Sequence, residues 1–164
     1  MRKRTLTAGL AIAVGTAVPA LAQNAPVTIA PPPAGMSQVV FFRPSAMGMA
    51  ISCNIRENRK MLGTTNNGRY FILTTTPGPH KFTTHGETTD ELNVETEADA
   101  TTYVKCKIGM GIMSGRPNIS PSTKEEFDSR SAKLKLSDPD KMAKAIAEDD
   151  ARRAREGAAT GVAH

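Results

Sequence analysis

The two cysteines are the residues of this sequence whose type and position point most directly to a chemistry. Each lies midway between two branched apolar residues: Ile51 and Ile55 around Cys53, and Val104 and Ile108 around Cys106. Because alternate residues of a strand share a face, both thiols are expected to point inward. An even cysteine count in an exported chain favours a disulfide that joins two strands. The alternative is two small core residues that never meet.

The histidines do not form a recognisable metal site. His80 and His85 are five residues apart, a spacing that places them on opposite faces of a strand. Zinc sites need three or four converging ligands, which this spacing does not supply. The sequence therefore predicts no metal site built on histidine and no bound cofactor.

Two glycine-rich stretches carry methionines at short spacing. Met47 and Met49 flank a glycine in the first stretch, and Met110 and Met113 lie at the two ends of the second. Thioether sulfur is a ligand that suits Cu(I), so these stretches predict a copper site as an alternative function. Flexible apolar packing is the other interpretation of the same residues.

No constellation of catalytic side chains is evident. Serine is common, but the nucleophile motif Gly-x-Ser-x-Gly is absent. Glu91, Glu95 and Glu97 fall on one face of a strand, a pattern typical of an acidic stripe in contact with water. The sequence therefore predicts a protein that is not an enzyme.

The N-terminus has the three parts of a secretory signal peptide. Residues 2–4 are all basic, residues 6–18 form an apolar run, and residues 20–22 place small side chains where a signal peptidase cuts. Cleavage is expected between Ala22 and Gln23, and a lipoprotein would carry cysteine in place of that glutamine. The apolar run is too short to span a bilayer comfortably. We therefore expect a periplasmic or secreted protein with no integral membrane span in the mature chain.

Removal of the signal peptide changes the charge balance. The full chain has 21 basic and 16 acidic residues; the signal peptide contains three of the basic residues and no acidic one, which leaves 18 against 16. The sequence has no tryptophan and only two tyrosines, so it lacks the stacking aromatics and concentrated basic patch of nucleic-acid binders. We expect no nucleic-acid partner.

Short apolar or alternating runs between turn signals predict strands from Ser37 to about Met113. The first is the continuous run Val39-Val40-Phe41-Phe42, and turns are expected at Asn58-Arg59-Lys60 and Asn66-Asn67-Gly68. Turn signals recur about every 8–12 residues and no helical pattern separates the runs. The sequence predicts a mainly β fold: a small antiparallel β-sandwich of about seven strands, of transthyretin or Ig-like type, with a C-terminal α-helix.

A series of motifs in this region occurs in the order typical of one bacterial envelope family: Phe42-Arg43-Pro44-Ser45, Leu62-Gly63, Asn67-Gly68-Arg69-Tyr70-Phe71, Pro77-Gly78-Pro79-His80 and Thr102-Tyr103-Val104. Their order resembles the family called domain of unknown function 2846. The resemblance implies a sandwich like those of transthyretin and of carboxypeptidase regulatory domains, and the Pro-Gly-x-His turn is similar to that of PEGA modules. It implies no enzyme activity and no catalytic residues.

The chain changes character after the strands. Ser122 followed by Glu125 predicts a capping box and a short helix. Ser137-Asp138-Pro139 predicts the start of a second helix, which is expected to end at Gly157. Because the apolar face of this helix is thin, a solvated tail helix is favoured over a helix that binds a partner.

These features divide the chain into six segments: a signal peptide (1–22), a Pro-rich linker (23–36), a β-sandwich domain (37–118), a connecting segment (119–138), a C-terminal helix (139–156) and a disordered tail (157–164). We expect an exported, non-enzymatic module of the cell envelope that binds an unknown envelope protein or glycan. The alternative is a periplasmic carrier of a small ligand or of copper.

Overall fold

Two facing β-sheets dominate the computed structural model, which describes residues 25–44, 50–112 and 115–161. The strands within these ranges are β1 (Ser37–Arg43), β2 (Cys53–Glu57), β3 (Lys60–Thr65), β4 (Arg69–Thr75), β5 (Gly78–His85), β6 (Thr89–Thr96), β7 (Thr101–Gly109), β8 (Arg116–Ser122) and β9 (Lys135–Leu136). The helices are α1 (Lys124–Ser131) and α2 (Pro139–Gly161). The predicted mainly β sandwich with a C-terminal helix is confirmed.

The strand order is β8-β7-β1-β4-β9 in the first sheet and β3-β2-β5-β6 in the second. Among the described residues, five strand pairings are antiparallel. Two are parallel, those of β1 with β7 and of β4 with β9. The seven predicted strands are all present, and β8 and β9 extend the first sheet at its two edges.

The central strand β1 is buried on both faces. Val39 and Phe41 point into the core between the sheets, whereas Val40 and Phe42 point to the outer side of the first sheet. This explains why the middle of the strand is continuously apolar, because a strand with two buried faces favours apolar side chains at every position. The buried core between the sheets consists of Val39, Phe41, Cys53, Ile55, Phe71, Phe82, Val104, Cys106 and Ile119.

An outer apolar layer covers the first sheet and draws side chains from outside the predicted sandwich segment as well as from within it. Phe127 of α1 is fully buried and contacts the rings of Phe42, Tyr70 and Tyr103. Leu134 completes the cluster, and Val27 and Ile29 pack against it. The segments predicted as a connection and as a linker therefore both contribute side chains to the apolar packing, and β8 runs across the predicted boundary at residue 118.

Helix α1 begins one residue later than the sequence predicted. Thr123 is the N-cap, and its hydroxyl accepts a hydrogen bond from the backbone N–H of Glu126 at 3.2 Å. Ser122 instead donates its hydroxyl hydrogen to the Glu126 carboxylate at 2.8 Å. The capping motif is thus shifted from Ser122 and Glu125 to the next pair, because β8 continues through Ser122.

Helix α2 lies against the second sheet, so the interpretation as a solvated tail helix is wrong. Met142 packs against the core between the sheets, and the helix contacts β3. Asp138 caps its N-terminus, as its carboxylate accepts from the N–H groups of Asp140 and Lys141. The helix continues past Gly157, since one glycine costs a helix only about 1 kcal/mol. No helix in the described ranges is long and apolar enough to cross a membrane.

The β8 edge of the first sheet is closed to further strand pairing. Alternate backbone N–H groups of an edge strand point away from the sheet, and on β8 these positions are Pro117, Ile119 and Pro121. Both prolines lack an N–H, and the N–H of Ile119 donates to the carboxylate of Asp90 at 2.7 Å. An added strand would therefore find no outward donor along this stretch.

Candidate functional site

A groove of about 610 Å³ runs between the outer face of the second sheet and the C-terminal half of α2. We call it the helix–sheet groove. Its floor comes from β2, β5 and β6, one wall comes from α2, and the turn between β2 and β3 closes one end. The lining residues are Arg56, Asn58, Arg59, Lys81, Thr83, His85, Thr89, Glu91, Arg152, Arg153 and Glu156.

The alternation of β5 supplies the floor of the helix–sheet groove. Phe82 and Thr84 are fully buried toward the core, so Lys81, Thr83 and His85 point to the opposite face. Helix α2 covers β3 and leaves this part of the sheet open. The groove is therefore a direct consequence of a helix that covers β3 and leaves the neighbouring strands of a four-stranded sheet open.

A buried carboxylate anchors the helix to the sheet beside the groove. Asp149 of α2 is only 4% exposed, and it accepts hydrogen bonds from the guanidinium groups of Arg56 on β2 and Arg152 on α2. Arg56 is 11% exposed. Sequence patterns do not single out Asp149, which lies between the acidic residues Glu148 and Asp150.

Replacing Asp149 with alanine is expected to destabilise the fold by about 3 kcal/mol and to release the C-terminal half of α2. The substitution leaves the largely buried Arg56 guanidinium without its carboxylate. An uncompensated buried charge is strongly destabilising, because it has lost both its hydration and its partner. Urea unfolding measures the free energy, and limited trypsin digestion at Arg152 and Arg153 reports the release of the helix.

The matched control is Asp150→Ala, which removes the exposed neighbouring carboxylate of the same helix. Its free energy of unfolding is expected to stay within about 0.5 kcal/mol of the wild type. Equal effects of the two substitutions would contradict the anchoring role of Asp149.

The turn between β2 and β3 has an unusual backbone. Asn58 and Arg59 both have positive φ, 48° and 69°. A two-residue hairpin loop of this kind favours Asn at the first position and Gly at the second. Arginine at the second position therefore carries a strain of about 1 kcal/mol or more, and it lines the end of the helix–sheet groove.

Positive charge is in excess along the groove. Five cationic side chains, those of Arg56, Arg59, Lys81, Arg152 and Arg153, outnumber the carboxylates of Asp149, Glu91 and Glu156 by two. Lys81 pairs with Glu91 at 2.7 Å, and the Arg152 guanidinium lies 3.9 Å from Glu156. Within the ranges that the structure describes, Arg59 and Arg153 form no ion pair.

The predicted cysteine pair lies in the core between the sheets, does not line the groove, and is structural. Cys53 on β2 and Cys106 on β7 form a disulfide with their Cα atoms 6.6 Å apart. Both residues are buried in the core between the sheets, as the alternation predicted. The bond therefore joins one sheet to the other.

The two histidines of β5 lie on opposite faces, as their spacing predicted. His80 faces inward and stacks on Phe82, and its Nδ1 donates to the Glu57 carboxylate at 2.7 Å. Its Nε2 donates to the Thr76 carbonyl at 2.9 Å. His85 faces the groove, beside the hydroxyl of Thr89. Among the described residues, no group of three His, Cys, Asp or Glu side chains is placed to hold a metal ion.

The surroundings of His80 favour its protonated form. Burial lowers the pKa of His80, but the hydrogen bonds to the Thr76 carbonyl and the Glu57 carboxylate, with the charges of Glu57 and Glu95, raise it above the ordinary value of 6.5. Both ring nitrogens face acceptors, so the doubly protonated ring satisfies both. His80 thus ties β5 to β2 and to the turn that precedes β5.

The stabilising contribution of His80 is expected to fall as pH rises. A folded-state pKa above the unfolded value gives stability that is complete below about pH 6.5 and is lost as pH passes through the raised pKa. Urea midpoints measured from about pH 6 to pH 9 should decline more steeply in the wild type than in His80→Gln. His85→Gln, on the opposite face of the same strand, should keep the wild-type slope. Identical slopes for His80→Gln and the wild type would contradict this role.

Arg43, from the first of the sequence motifs, has a structural position. It ends β1, is 1% exposed, and its guanidinium donates to the backbone carbonyl of Ile51. Burial lowers the pKa of this guanidinium. This hydrogen bond holds the end of the β1–β2 loop that leads into β2 against the end of β1.

The methionines and the cleavage-site residues predicted from the sequence are not among the described residues that line the groove. Met110 follows β7 and is 83% exposed. Met47, Met49 and Met113, and the cleavage-site residues Ala22 and Gln23, lie outside the described residues. The structure therefore does not place the four methionines relative to one another.

Comparisons with known proteins place this chain beside sequences whose activity is not described. Residues 33–117, just over half of the chain, match a family model described as "Protein of unknown function (DUF2846)". A Haemophilus influenzae protein described as "Uncharacterized protein" is 26% identical over 106 residues, which cover 64% of this chain and 63% of that relative. No solved structure matches the chain.

Proposed function

The chain belongs to the DUF2846 family, and from its own surface geometry we propose that it is an exported, non-enzymatic module of the cell envelope that binds a protein or glycan partner. The helix–sheet groove is the observation that carries this proposal. It is a preformed concave surface with excess positive charge, and a buried ion pair anchors its helical wall to the sheet. Preformed concave sites with a few oriented polar groups are typical of ligand binding.

The protected β8 edge supports binding in a groove rather than by addition of a strand to that edge. Pro117, Pro121 and the contact between Ile119 and Asp90 leave no outward N–H donor at those alternate positions. Such features suit a protein that must avoid unspecific pairing of edges. At the β8 end of the first sheet, the partner is therefore expected on a face and not on the strand edge.

Two features support the proposed export. The N-terminal sequence has the n-region, apolar run and small-residue cleavage site of a signal peptide. The disulfide between Cys53 and Cys106 suits an oxidising compartment. The intact mass of the exported protein should correspond to a chain that starts at Gln23 without a lipid.

Capture of partners from an envelope fraction tests the binding function. The wild-type protein is expected to retain a specific protein or glycan, and the double variant Arg59→Glu/Arg153→Glu is expected to lose it. Lys133→Glu changes an exposed charge on the segment that follows α1 and is the matched control. Retention of the same partner by the groove variant would place binding elsewhere on the surface. The absence of any specific partner would contradict the proposed function.

The alternative of a copper carrier has one favourable observation. Gly115 packs against Ile51, so the loops that follow β1 and β7 meet at one end of the sandwich. The sequence places Met47 and Met49 in the first loop and Met110 and Met113 in the second. Stoichiometric Cu(I) binding that weakens in Met110→Leu would support this alternative, and unchanged binding would argue against it.

A further inference from the structure

We propose that Arg59 and Arg153 form a phosphate-binding pair in the helix–sheet groove, and that the partner is recognised through a phosphomonoester group. This inference rests on the proposed binding function and names the ligand chemistry of the same groove. We place the phosphate on a sugar of the proposed glycan partner; a lipid headgroup, which offers the same phosphate chemistry, is the other outcome of the test.

The charge balance of the groove sets the sign and size of the expected ligand charge. Its cationic side chains exceed its carboxylates by two. The carboxylates have cationic neighbours of their own: Asp149 pairs with Arg56 and Arg152, and Glu91 pairs with Lys81. Glu156, which lines the groove beside Arg153, lies 3.9 Å from the Arg152 guanidinium. A phosphomonoester near neutral pH carries between about −1.5 and −2 charges. Such a group compensates the excess, whereas a metal cation would be repelled.

The two arginines enter the groove from different elements. Arg59 lies on the tight turn between β2 and β3, and Arg153 lies on α2. Both also line a second cavity, of about 660 Å³, that adjoins the groove beside Lys60 and Asp150. A ligand at this shared end can contact both guanidinium groups. Guanidinium forks match phosphate oxygens geometrically and give the stronger, charge-assisted hydrogen bonds.

The polarity of the lining favours a phosphate group over an acidic peptide. Peptide and protein interfaces draw most of their affinity from buried aromatic and large aliphatic anchors. The lining residues of the groove are charged or carry hydroxyl, amide or imidazole groups, and none of the described ones is a large apolar residue. Affinity in such a groove must come from charge and hydrogen bonding.

The position of Arg59 adds an independent observation. At a φ of 69°, glycine would occupy this turn without strain, but arginine does not. The variant Arg59→Gly therefore removes the guanidinium and relieves the backbone at the same time. It is expected to fold at least as well as the wild type, which separates loss of binding from loss of structure.

Calorimetric titration with inorganic phosphate and with glucose 1-phosphate tests the proposal on the full exported chain at low ionic strength. We expect binding that weakens about tenfold in Arg59→Gly and again in Arg153→Ala, since each loses a charge-assisted hydrogen bond. Arg155→Ala, an arginine of the same helix that does not line this groove, should bind like the wild type. Added salt should weaken binding.

Vesicles of phosphatidylcholine with and without phosphatidic acid distinguish the two sources. Binding to the acidic vesicles that is lost in the Arg59→Gly/Arg153→Ala variant assigns the phosphate to a lipid headgroup; preferential binding of glucose 1-phosphate over inorganic phosphate assigns it to a sugar. Equal binding of chloride, sulfate and phosphate by the wild type and the double variant means an adventitious ion only, and overturns the proposal.

The failure of this inference can be told apart from failure of the proposed function. If no phosphate ligand binds, but the Arg59→Glu/Arg153→Glu variant still loses an envelope partner, the ligand chemistry is wrong and the binding function stands. If neither phosphate nor a partner binds, both are wrong.

Discussion

Replacing Phe127 with alanine is expected to lower the free energy of unfolding by about 3–5 kcal/mol. The ring is fully buried, and its centroid lies 5.3, 5.6 and 5.4 Å from the rings of Phe42, Tyr70 and Tyr103. Removing it opens a cavity between α1 and the outer face of the first sheet. Urea unfolding followed by far-ultraviolet circular dichroism measures the effect.

Two controls define the cause of this loss. Phe127→Leu keeps an apolar side chain in the cavity and is expected to lose less than half as much stability. Ser129→Ala alters an exposed residue of the same helix and is expected to change stability by no more than about 0.5 kcal/mol. An unchanged unfolding midpoint for Phe127→Ala would contradict the packing of α1.

A shortened chain tests the same layer in another way. The family match ends at residue 117, but the apolar layer on the first sheet needs Phe127 and Leu134. Residues 37–118 alone would expose Phe42, Tyr70 and Tyr103 to water. We therefore expect this fragment to unfold at lower urea concentration than the full chain, or to show no cooperative unfolding at all.

Loss of the disulfide between Cys53 and Cys106 is the second change with a large expected effect. The bond closes a loop with a sequence separation of 53 residues and joins the two sheets through the core. In the chain-entropy description, a loop of this length contributes about 4 kcal/mol by restricting the unfolded chain. Urea unfolding with and without dithiothreitol measures this contribution directly.

The double variant Cys53→Ala/Cys106→Ala is the companion measurement. It lacks both the bond and the sulfur atoms, so it should be at least as unstable as the reduced wild type. Alkylation of the exported protein without reductant should modify neither cysteine. Modification of both thiols in natively folded protein, or an unchanged urea midpoint after reduction, would contradict the structural role of the bond.

Local patterns in the sequence were sufficient for features whose signals lie within a few residues. The apolar run from Val39 to Phe42 predicts a strand, and β1 is one. The alternation around Cys53 and Cys106 predicts two inward thiols, which the structure joins. Period-two alternation is a property of any extended backbone, so the face of a side chain follows from its position alone.

Local patterns in the sequence did not predict which strands pair with one another. The parallel pairing of β1 with β7 places Val39 beside Thr102, although the chain between them passes through the other sheet. Nothing in the few residues around either strand specifies its neighbour. Pairing is decided by which apolar faces can be buried together, and that depends on the whole chain.

The helix–sheet groove depends on the same kind of long-range contact. The thin apolar face of α2 favours a solvated helix, but Met142 reaches the core and Asp149 pairs with Arg56, 93 residues away in sequence. Asp149 has acidic neighbours on both sides, so its residue type and local pattern do not distinguish it. The sequence by itself determined seven of the nine strands in the described ranges, the faces of their side chains and the start of α2. Only the tertiary structure decided where α2 docks, because the burial of an ion pair depends on desolvation by distant segments, which local periodicity does not record.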